Sequence, residues 1–104
     1  AVPNFSSYQH ARLLGLDMLS PSPASPYGLP AVQESLENPM TSGLTIFDYG
    51  IDDSFYHEAK ASDVATPAHE AVRRTPEALE QLKVFFTEGR IIHPCEGPCE
   101  LNVP

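Results

Sequence analysis

Eleven of the 104 residues are proline, and four of these fall within Ser20–Pro30, SPSPASPYGLP. Each proline fixes φ and removes a backbone donor, so this stretch can enter neither a helix interior nor the middle of a sheet. Polyproline II or irregular coil is expected there. Such a segment reads in two ways. It is a flexible linker, or it is a docking segment that lies along a partner surface at low entropic cost, with Tyr27 and Leu29 as its anchors.

The flanking sequence offers only short elements. Asn4 to Leu14 is expected to be a short helix, capped by Ser6 or Ser7 and stopped at Gly15, with Tyr8, Ala11 and Leu14 as its apolar stripe. Leu16, Met18 and Leu19 follow as an apolar tail. Pro30 is suited to the first position of a short helix over Ala31–Glu37, which Asn38-Pro39 ends. Leu44–Tyr49 (LTIFDY) is the best strand candidate, with Leu44 and Ile46 on one face and Thr45, Phe47 and Tyr49 on the other. Asp53–Lys60 is expected to form a short helical turn that presents Phe55 and Tyr56.

The last third is better marked. Thr66-Pro67 and Thr75-Pro76 each match a capping threonine followed by proline at the first helical turn. They predict helices over Pro67–Arg74 and Pro76–Glu88. Thr75 breaks the first, because the residue before proline avoids the helical region. In the second, Glu77 suits the helix dipole and Gly89 is the stop. Ala78, Leu79, Leu82, Phe85 and Phe86 give it an apolar face, expected to pack in the core in preference to the alternative of a groove-binding helix. Arg90–His93 is expected to pair as a strand with Leu44–Tyr49.

Charge narrows the function classes. The formal net charge is −8. Nucleic acid and anionic membranes both reward clustered Lys and Arg, so neither fits as a partner. No run approaches the roughly 20 apolar residues that a membrane span needs. No signal-peptide pattern is visible, and Ala1 is compatible with removal of an initiator Met or of a targeting peptide. An intracellular or organelle interior is favoured over secretion.

Chemistry-bearing motifs are few. His93-Pro94-Cys95-Glu96-Gly97-Pro98-Cys99 is the most distinctive. Its cysteines have three readings: a disulfide closing a tight loop over Gly97-Pro98, a pair of inert thiols, or a metal site with His93, Cys95 and Cys99 as ligands. A structural zinc would need a fourth ligand from His10, His57, His69 or a carboxylate. A binuclear copper site would need a histidine and a methionine where the chain instead reads Glu100-Leu101-Asn102-Val103-Pro104. Nucleophilic use of either thiol is disfavoured by Glu96 and Glu100, which would raise the thiol pKa. The carboxylates at Asp52-Asp53 and at Glu77, Glu80 and Glu88 read as a solvated surface. No EF-hand spacing, phosphate-binding glycine loop or G-x-S-x-G occurs.

Together these features predict a small, mostly α, irregular chain: short helices, long proline-rich extended segments and room for one two-stranded β-ribbon. Residues 1–65 form an acidic, extended region, and residues 66–104 a small helical segment ending in the cysteine loop. The expected function is a non-catalytic accessory or linker subunit of a larger multi-subunit protein complex, because proline-interrupted apolar segments bury one another poorly within so short a chain. Tyr27, Leu29, Phe47 and Tyr49 are its expected partner contacts, and it needs no cofactor. The alternatives are a small metal- or thiol-redox protein using Cys95, Cys99 and His93, and a secreted binding module with one disulfide.

Overall fold

The fold is seen in a computed structural model that describes residues 4–50 and 68–103. Its centre is a dipeptide. Met18–Leu19 forms β1, which pairs in parallel with β2, Ala31–Val32. The Met18 N–H donates to the Pro30 carbonyl at 2.7 Å and the Ser20 N–H to the Val32 carbonyl at 2.9 Å. The other edge of β1 is also occupied. The Leu19 N–H donates to Leu44, and the Leu44 N–H donates back to Asp17, both at 2.9 Å. Met18 and Leu19 are accordingly the most deeply buried apolar side chains, with Cys99.

The proline-rich stretch is thus the crossover between two paired strands. Its residues donate few hydrogen bonds, but both ends are held by the sheet. Pro26–Leu29 closes a turn, with the Leu29 N–H on the Pro26 carbonyl and Gly28 at φ 79°. The Ser20–Pro21 peptide bond is cis. Helix Ala31–Glu37 does not form. Its first two residues extend to complete the sheet, because the exposed edge of β1 can be satisfied only by extended backbone.

Helix α1, Asn4–Leu13, lies against this centre. Ser6 and Ser7 fall inside it, so neither is its cap. Its end follows the expected chemistry. Gly15 takes φ 70°, the Leu16 N–H reaches back to the Ala11 carbonyl and the Gly15 N–H to Arg12. That pair of bonds is a Schellman closure, which satisfies carbonyls the helix would otherwise leave open. Ala11 joins Met18 and Leu29 in a cluster flanked by Tyr8, Leu16, Leu44 and Ile46. Leu14, expected on the same stripe, is exposed instead because the helix has already ended.

Residues 44–49 keep the predicted two-faced pattern without forming a continuous strand. Leu44 and Ile46 face the α1 cluster. Leu44 bridges β1, and Asp48 bridges Glu100 in parallel. The expected partner, Arg90–His93, pairs elsewhere: Ile91 bridges Met40 in antiparallel sense. Two different partners along one short run, Met18 at Leu44 and Glu100 at Asp48, prevent any single ladder from growing.

The C-terminal helices are close to expectation. Helix α2, Ala68–Ala71, continues into a 3₁₀ turn, Val72–Arg74. Thr75 is extended at φ −75°, ψ 121°, and α3 runs from Pro76 to Glu88. Gly89 ends it at φ 71°, its N–H on the Phe85 carbonyl. Thr75 makes no side-chain cap. Its hydroxyl donates back to the Ala71 carbonyl at 2.8 Å instead. Asp53–Lys60, with Phe55 and Tyr56, and the Thr66-Pro67 start lie outside the described residues.

Side chains then tie the two halves of the sequence together. Gln81 uses its amide nitrogen on the Thr45 hydroxyl at 2.7 Å and on the Ile92 carbonyl at 2.9 Å. Tyr49 meets Thr75, and His93 meets both Pro21 and Glu34. The radius of gyration, 13.8 Å, is close to the roughly 13 Å of a globular chain of this length. No helix among the described residues is long and apolar enough to cross a membrane.

Candidate functional site

Two places carry the candidate residues: the His93–Cys99 loop and the outward side of α3. In the first, Cys95 and Cys99 are joined by a disulfide, with α-carbons 5.6 Å apart. Pro94, Gly97 and Pro98 supply the bends that bring them together. Cys99 is buried and Cys95 half-buried. The Cys99 carbonyl accepts from the Asp48 N–H at 2.8 Å, and the Asp48 carbonyl accepts from Leu101 at 2.7 Å. The loop is therefore stitched to the extended run 44–49.

His93 is half-buried and held by backbone groups and one carboxylate. Its Nε2 lies 2.6 Å from the Pro21 carbonyl and its Nδ1 lies 3.0 Å from the Cys95 carbonyl. Its backbone N–H donates to Glu34 Oε1 at 3.0 Å. Pro21 and Glu34 are remote in sequence, so the imidazole pins the proline crossover onto the C-terminal loop. A sulfur in a disulfide is neither a thiolate nucleophile nor a metal ligand, so the metal reading of His93, Cys95 and Cys99 requires the bond to be reduced first.

The expected partner contacts separate into exposed and internal residues. Tyr27 is 92% exposed at the turn, where the Arg12 guanidinium donates to its carbonyl at 2.9 Å. Leu29 is 6% exposed and belongs to the α1 cluster. It cannot serve as an outward anchor, because the Pro26–Leu29 turn reverses the chain and points it inward. Tyr49 is half-buried, and its hydroxyl meets Thr75. The Thr75 proton is already given to Ala71, so Tyr49 is the donor to the Thr75 oxygen. Phe47 is half-buried at the edge of a groove beside α3.

That groove has a volume of about 270 Å³ and is lined by Phe47, Val72, Leu82, Phe85 and Ile91 together with Gly43, Thr45 and Gln81. Next to it runs an apolar stripe expected in the core. Only Ala78 and Val84 of α3 are buried. Leu79 and Leu82 are each 49% exposed and Phe86 is 79% exposed. These three recur at i, i+3 and i+7, the spacing of one helix face. The Phe85 and Phe86 rings meet at 5.8 Å between centroids, tilted by 57°. The physical reason for the inversion is room. The Tyr49–Thr75 bond just before α3 and the Gln81–Thr45 bond within it hold the side that carries Ala78, Gln81 and Val84 against the run 44–49, which turns the larger apolar residues outward.

Periodicity marked Leu79, Leu82 and Phe86 as apolar, but assigned them to the wrong side. A usable signal was present: Gln81 lies between Ala78 and Val84, so small and polar residues define the inner face. No protein-family model, curated protein or solved structure matches the chain.

Proposed function

We propose that the chain is a non-catalytic accessory subunit that docks on a larger protein assembly through the outward face of α3. The observation that carries this reading is the stripe of Leu79, Leu82 and Phe86 beside an apolar groove. Single exposed apolar residues are ordinary, but a contiguous apolar strip with an adjoining groove fits a binding surface. Full burial of each such side chain contributes about 1.5–3 kcal/mol, and roughly half that for leucines already half covered. The recognition is of the helix-in-groove kind, with anchors one helical turn apart. The turn of the proline-rich crossover, which presents Tyr27, is a second contact.

The test is a Leu79→Gln, Leu82→Gln, Phe86→Gln variant, expressed at native abundance in place of the wild-type chain. The triple variant is expected to fold normally, judged by circular dichroism, and to lose its place in the complex. Retention of the complex by a folded variant would remove the proposal.

The Cys95–Cys99 bond favours a second reading, a disulfide-stabilised binding module of an oxidising compartment. It uses the same face. Alkylation of the native protein before denaturation separates the two settings: free thiols at both positions contradict this second reading.

A further inference from the structure

Five Ser/Thr-Pro pairs occur in the chain: Ser20-Pro21, Ser22-Pro23, Ser25-Pro26, Thr66-Pro67 and Thr75-Pro76. Four of them lie among the described residues, and the structure separates those four. Thr75 is 1% exposed and its hydroxyl is engaged by Ala71 and Tyr49. Ser20 is half-buried, and its N–H is held by Val32 next to the sheet. Ser22 is half-buried, and its hydroxyl accepts from the Ala24 N–H. Ser25 alone is exposed, in unpaired coil between the Ala24 position and the Pro26–Leu29 turn.

We infer that Ser25 is a phosphate-acceptor site for a proline-directed protein kinase. Such an enzyme must hold its substrate extended and bury the residue after the acceptor. Proline suits that position because it brings no N–H donor that would be left unsatisfied. Ser25 meets the remaining demand, a hydroxyl and a backbone that no internal element holds. In the transfer, Ser25 Oγ attacks the γ-phosphorus of ATP, its proton passes to the kinase's catalytic aspartate, and the bond to the β-phosphate oxygen breaks to release ADP. The product adds about 1.5–2 negative charges. The Arg12 guanidinium, which donates to the Tyr27 carbonyl two residues further on, turns on this proposal to the new phosphate.

The experiment uses the full chain with Thr66→Ala, purified proline-directed kinase and magnesium ATP. Intact mass and site mapping are the readouts. The expected result is a single phosphate on Ser25, lost in Ser25→Ala and lost in Pro26→Ala, which keeps the hydroxyl but restores the N–H. No incorporation, equal incorporation at Ser20, Ser22 or Thr75, or undiminished incorporation in Ser25→Ala would each overturn the assignment.

Discussion

Thr75 shows how one residue serves two structures. As the residue before a proline it stays extended and ends the 3₁₀ turn. Its side chain is buried, donates to Ala71 and accepts from Tyr49, which closes the α2–α3 corner onto the run 44–49. Thr75→Val keeps the shape but strips both bonds. It is expected to cost about 1–3 kcal/mol, because Tyr49 and Ala71 lose a buried partner. Urea unfolding measures this, and Thr75→Ser should recover most of the loss. Gly43 is a second sensitive residue. A Cβ there would lie 2.8 Å from Leu19 Cδ1 and 3.0 Å from Met40 Cε, both buried. Gly43→Ala is expected to destabilise by roughly 1–3 kcal/mol through overpacking, again read from urea unfolding. At this scale the sequence is legible where the cause is local. Gly15 and Gly89 end helices by their own φ preference. The roles of Thr75 and Gly43 depend on Tyr49 and Leu19, both more than twenty residues away, and no local pattern names those partners.

Helix α3 is the element that periodicity located best and oriented worst. Its bounds follow from Thr75-Pro76 and Gly89. Its facing does not, because an apolar moment says which side is apolar and not which side finds a cover. Ala78, Gln81 and Val84 face in and Leu79, Leu82 and Phe86 face out. Replacing the outward three by glutamine is therefore expected to cost about 0.5 kcal/mol or less at the exposed Phe86 and roughly 1 kcal/mol at each half-covered leucine. A loss of several kcal/mol per site would return them to the core. The strands were the least legible elements. Two-residue strands carry no periodicity, and Met18–Leu19 reads as an apolar tail until Pro30, Val32 and Leu44 are seen to surround it. The short disulfide loop is expected to contribute about 2 kcal/mol by the loop-entropy relation. Comparing wild type with the Cys95→Ser, Cys99→Ser double variant by thermal unfolding checks it.

The whole molecule is held by a few cross-links between halves that composition alone sets apart as acidic and mixed. Met40–Ile91, Asp48–Glu100, Gln81–Thr45 and His93–Pro21 all join residues before 50 to residues after 75. Against these stands a small core, and ten large apolar residues in the described parts are exposed. A chain so arranged gains stability when a partner covers its outward faces, by mass action on the folded state. Hydrogen–deuterium exchange on the chain in the proposed assembly and in isolation tests this. Peptides covering Leu79–Phe86 and the Tyr27 turn are expected to be protected in the assembly and to exchange faster in the free chain. The docking proposal is contradicted if the chain migrates alone at native abundance, or if protection on assembly spares α3 altogether.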